Sequence, residues 1–97
     1  MEKELIIPEI AQNDPNAIEV VRVWVAKGGQ HVSIDVGVWK DPIAWGIVLA
    51  DLAGHVANAY EQETGKNKKK TLAQIRELFN KELDTPTDVP RGNVRNQ

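Results

Sequence analysis

Residues 19–39 read EVVRVWVAKGGQHVSIDVGVW, two runs of β-branched residues on either side of a glycine pair. This pattern predicts an antiparallel hairpin. The expected turn is Gly28-Gly29, because two-residue hairpin loops need positive φ, which glycine adopts without steric cost. Pairing Lys27 with Gln30 then sets Val25 opposite Val32, Val23 opposite Ile34 and Val21 opposite Val36, so that six β-branched side chains line one face, which must be buried. The other face carries Arg22 opposite Asp35 as a cross-strand ion pair, Trp24 opposite Ser33, and Ala26 opposite His31.

Downstream, Gly37 ends the second strand and Lys40-Asp41-Pro42 supplies a helix start, with Asp41 as N-cap and Pro42 at the first helical position. The helix is expected to run to about Thr64, with Gly65 as its C-cap. Its polar residues Asp51, His55, Asn58 and Gln62 form one narrow stripe on an otherwise apolar cylinder, and Gly46, Ala50, Gly54 and Ala57 form a row of small residues that admits a second backbone. The lysine segment 66–70 then reads as a loop, followed by Thr71 and Gln74 as a capping box for a second helix whose apolar stripe is Leu72, Ile75, Leu78, Phe79 and Leu83. Pro86 places its end near Leu83 or Asp84.

Upstream, Pro8, Pro15 and the cluster Asn13-Asp14-Pro15-Asn16 break any long element, so residues 1–17 read as an arm in which only Leu5 to Ile7 could add a short strand. Residues 18–84 form a single α+β domain, and residues 85–97, with two prolines, a glycine and few large apolar side chains, form an extended or disordered tail. The expected fold is β-β-α-α, an antiparallel hairpin packed on two helices.

The chain has 97 residues, 12 Lys and Arg against 14 Asp and Glu, 41% hydrophobic residues and no cysteine. That length bounds it to one domain with a modest core, for which oligomerisation is a natural supplement. Without cysteine there are no disulfides, thiolate metal sites or thiol nucleophiles, which points to the cytoplasm. The longest apolar stretch, Ile43 to Ala50, is far short of the roughly 20 residues of a membrane span, and the start MEKELIIPEI lacks signal-peptide anatomy.

The stretch at 19–60, with its motifs GGQHVSI, GVWKDPIAWGI and LADLAGHVANAY, resembles the central block of a small bacterial family, domain of unknown function 5076, and TLAQIRELFNKELDTPTD at 71–88 is similar to its downstream helix. The resemblance implies a small stand-alone bacterial protein. It implies no activity, cofactor or partner.

Three groups of residues invite a functional reading. Asp51 and His55 share a helix face, the minimum for an acid–base pair, although the same spacing occurs in ordinary exposed pairs and nothing nearby completes a metal-ligand set. Trp39 and Trp45 flank the strand-to-helix turn, and with Arg22, Trp24 and His31 they could line a ligand or partner surface; tryptophans at such a corner also pack cores and interfaces. Lys66, Lys68, Lys69 and Lys70 concentrate positive charge, but without interleaved aromatics on a net acidic chain they read as a solvated loop, and nucleic acid is not an expected partner.

One hairpin and one further helix can hardly cover a helix that is apolar around most of its circumference. The strand edges also lack the proline or inward charge that blocks pairing with another chain. Both features predict a homodimer, formed by helix packing on the Gly46/Ala50/Gly54/Ala57 row or by edge pairing into a four-stranded sheet. The expected function is a non-catalytic, cytoplasmic protein-interaction or binding module with no metal or cofactor. The alternative is a small-ligand sensor or small enzyme using Asp51 and His55.

Overall fold

The computed structural model describes residues 3–86 and 94–96. The architecture is α+β, an antiparallel hairpin followed by two main helices. The chain divides into two compact units at Val38 and Trp39.

The first unit holds the hairpin, with strands β1 (Val21–Ala26) and β2 (Gly29–Ile34). The turn is Lys27-Gly28, not Gly28-Gly29: φ is 50° at Lys27 and 73° at Gly28, the two positive values of a type I′ loop. Gly29 becomes a strand residue opposite Ala26, and the register moves by two positions, to Val25 opposite Gln30, Val23 opposite Val32 and Val21 opposite Ile34. Because the side-chain period of a strand is two, a shift of two leaves the side chains within the strands on their expected faces while changing all their partners; Val36, expected opposite Val21, lies beyond the end of β2 and is not part of the apolar face. Trp24 thus faces His31, and Arg22 faces Ser33 rather than Asp35. The Asp35 carboxylate instead accepts the Gly37 N–H at 2.8 Å and turns the chain out of the sheet.

The valine face is not buried along its length. Val23 is 51% and Val25 83% exposed, while Val21, Val32 and Ile34 are half-buried. A helix at Glu9–Gln12 (α1) interrupts the expected arm, and it packs on none of the strands, so it leaves the outer end of that face open. Leu5 to Ile7 form no strand. The third strand is β3 (Val94–Asn96), from the segment read as tail, which pairs in parallel with β2. The outer edge of β2 offers unpaired backbone groups, and the long helical connection between β2 and β3 meets the length that parallel pairing requires. The rest of that segment, 87–93 and 97, lies outside the described residues.

The second unit is a helical hairpin of α2 (Ala44–Thr64) and α3 (Lys68–Asp84). Asp41 and Pro42 do not start α2: the regular helix begins at Ala44, with Ile43 at its N-cap and no side-chain cap, while the Asp41 carboxylate accepts the Ile43 N–H at 3.0 Å in the preceding turn and residues 41–46 wind through i to i+3 bonds. Gly65 ends it in the left-handed conformation with φ 75°, its N–H donating to the Glu61 carbonyl at 3.0 Å. The expected lysine loop is absent. The connection is only Gly65-Lys66-Asn67, and Asn67 caps α3, accepting the Lys70 N–H at 3.0 Å.

Lys68, Lys69 and Lys70 therefore make the first turn of α3, and Thr71 lies buried inside it instead of capping it. Asparagine is the stronger cap, and it outweighs the disfavoured position of lysines at a helix N-terminus. The Glu61 carboxylate, 3.3 Å from the Lys68 N–H, offsets part of that repulsion. The short connection makes α2 and α3 antiparallel neighbours, and their seam is marked by Ala57, fully buried, and Thr71, 9% exposed. No helix among the described residues is long and apolar enough to cross a membrane.

Candidate functional site

On the outer face of the first unit, Trp24 and His31 form a cross-strand pair, and the His31 Nε2 lies 3.1 Å from the Ala26 carbonyl oxygen. The Arg22 guanidinium is already held by two carboxylates, Glu19 and Glu4, each at 3.1 Å. Its pKa is raised, first by the hydrogen bond to Glu19, then by the charges of Glu19 and Glu4. An incoming anion at Arg22 must displace these partners.

In the second unit, Trp39 and Trp45 meet edge to face, with ring centroids 5.5 Å apart and planes at 88°, a favourable aromatic geometry. They brace the turn that leads into α2. The structure thus forms two pairs from the five residues expected at a binding surface, Trp24 with His31 and Trp39 with Trp45. Asp51 and His55 sit one turn apart on α2, both exposed, with no hydrogen bond or ion pair joining them among the described residues. No group of three His, Cys, Asp or Glu side chains among those residues is placed to hold a metal ion.

The small-residue row is split in its surroundings. Ala57 is fully buried, whereas a Cβ added to Gly46 or Gly54 meets nothing within 4 Å. Glycine inside a helix costs about 0.5–1 kcal/mol relative to alanine. Gly54→Ala is therefore expected to stabilise the protein by about that amount, a rise of a few degrees in unfolding midpoint. A fall in the midpoint would show that another backbone closes on Gly54 in the assembled protein.

A concave feature not anticipated from the sequence lies between the two helices. It is a groove of about 590 Å³ along the α2–α3 seam, lined by Val56, Tyr60, Ile75, Leu78 and Phe79, with Lys66, Thr71, Gln74 and Glu82 among its walls. Ile75, Leu78 and Phe79 of the α3 apolar stripe, for which the sequence named no partner, form part of its lining. The usable signal is the width of that stripe, since one neighbouring helix covers only part of an apolar arc of 100° or more. Leu78 remains 58% and Phe79 46% exposed.

Residues 4–87 match the model of a family described as Domain of unknown function (DUF5076). Among solved structures, the chain is similar to one described as "Structure of a putative pyruvate dehydrogenase from the photosynthetic bacterium Rhodopseudomonas palustrus CGA009". The two are 33% identical, with a TM-score of 0.75, over 100% of this chain and 98% of that one. No curated protein matches the chain.

Proposed function

Since the chain belongs to the family Domain of unknown function (DUF5076), we propose that it is a non-catalytic, cytoplasmic bacterial module that associates as a homodimer and binds a protein partner. The observation that carries this reading is the surplus of uncovered apolar side chains. Ala57 is the one fully buried hydrophobic residue among those described, while Val25, Ile43, Ile47, Leu52, Leu78 and Leu83 are 48–83% exposed. A soluble monomer rarely leaves apolar surface in contiguous patches of more than a few hundred Å². The similar protein from a photosynthetic bacterium supports the bacterial setting.

Light scattering across a dilution series, with native mass spectrometry on the same sample, tests the reading. The expected result is a dimer over most of the series that dissociates only at its dilute end and carries no small molecule. A monomer at all concentrations overturns the homodimer.

The description of the R. palustrus protein favours a second reading, a small-ligand sensor or small enzyme for a 2-oxo acid, with Asp51 and His55 as its polar pair. Under it, millimolar pyruvate raises the unfolding midpoint by linkage, and Asp51→Ala or His55→Ala removes the effect. Under the first reading, pyruvate leaves the midpoint in place.

A further inference from the structure

The α2–α3 hairpin is half of a larger helical packing unit. On α2, Leu49, Leu52, Val56 and Tyr60 recur at spacings of three, four and four, which puts them on one stripe, and they are 45%, 48%, 38% and 47% exposed. On α3, Leu78 and Phe79 continue the same surface across the groove that Val56, Tyr60, Ile75, Leu78 and Phe79 line. Each helix spends one side on the seam at Ala57 and Thr71 and keeps this second apolar side uncovered. Two antiparallel helices with a shared apolar face are what a four-helix bundle needs from each of its halves.

We propose that two copies of the chain pack hairpin to hairpin through this groove face, forming a four-helix bundle as the homodimer contact. The proposal rests on the homodimer reading above and names its seam. The area is of the right order. The six side chains leave on the order of 500 Å² of apolar surface per chain, and with a polar rim that approaches the roughly 800 Å² per partner of a standard stable interface. Such an isologous contact presents the same patch on both copies, so the groove face of one chain is the surface offered to the other.

The experiment uses the full chain and three single variants. Leu78→Glu and Leu52→Glu place a charge on the groove face at side chains about half exposed in the single chain, and each occurs twice across a two-fold contact. Each is expected to raise the dimer dissociation constant at least 100-fold, with the helical circular dichroism retained. Val25→Lys, on the exposed end of the hairpin face, is expected to leave the constant within threefold. A dimer broken by Val25→Lys but not by the groove variants overturns the proposal while the homodimer reading stands. A wild-type chain that is monomeric throughout the dilution series overturns both.

A second measurement covers loss of folding in the charged variants. The chain has no cysteine, so Leu78→Cys carries one thiol. Its reaction with a maleimide is expected to be slow at concentrations where the dimer forms and to accelerate on dilution. A rate that does not follow the dimer fraction places the seam elsewhere and overturns the proposal.

Discussion

Replacing Ala57 by aspartate is expected to unfold the α2–α3 hairpin. Ala57 has no exposed surface, so the new carboxylate enters the seam between two helices without water and without a partner. Burying an unpaired charge costs several kcal/mol, against a total stability of about 5–15 kcal/mol for a typical domain. The expected outcome is a loss of at least about 3 kcal/mol in urea unfolding followed by helical circular dichroism. Ala57→Gly is the control, because it introduces no charge and is expected to cost about 1 kcal/mol through helix propensity. Equal effects of the two variants would mean that the site is wet and that the seam does not close at Ala57.

Gly65→Val carries the second large effect. Gly65 ends α2 with φ 75°, a conformation in which a side chain crowds the following carbonyl at a cost of roughly 1–2 kcal/mol. β-Branching adds to that cost. Nothing lies within 4 Å of an added Cβ, so the penalty is one of backbone conformation and not of packing. In a chain of this size, about 1 kcal/mol lowers the midpoint by roughly 4–8 °C, and thermal unfolding is expected to show a fall of about 5–15 °C for valine. Asparagine tolerates the left-handed region, so Gly65→Asn is expected to lose only part of this. A valine variant that melts with the wild type would show that α2 does not end through Gly65.

Local chemistry made much of the fold legible. Gly65 as a left-handed C-cap follows from a residue type whose geometry depends on a few neighbours, whereas Asp41 and Pro42, which read as a helix start, form the turn before α2. The end of α3 at Asp84 follows from Pro86 in the same way. Errors appeared where two local solutions compete. Lys27-Gly28 and Gly28-Gly29 both make acceptable hairpin turns, and Asn67 and Thr71 both make acceptable caps. In each case the choice changes the register or the helix start by a few residues and leaves the element in place.

The candidate site was less legible. Trp39 with Trp45 lie close enough in sequence for their pairing to be within reach of inspection, whereas Trp24 with His31 depends on a register two positions from the expected one, which set Trp24 opposite Ser33. The engagement of Arg22 by Glu4, 18 positions away, was not within that reach. The groove depends on which sides of α2 and α3 face each other, and the stripe Ile75, Leu78, Phe79 reads identically whether the partner is α2 or a second copy.

The sequence by itself determined that a hairpin lies within residues 19–39, which side chains of its strands share a face, and that two helices follow, the first ending at Gly65. These properties depend on the two-residue and 3.6-residue periods and on capping chemistry. The tertiary structure alone decided the pairing partners within the hairpin, the addition of Val94–Asn96 to the β2 edge, and the opening of an apolar groove beside Ala57. Each of these is a contact between segments far apart in the chain or a choice between near-equal local solutions, and its energy lies in the packing of surfaces that a one-dimensional pattern does not bring together.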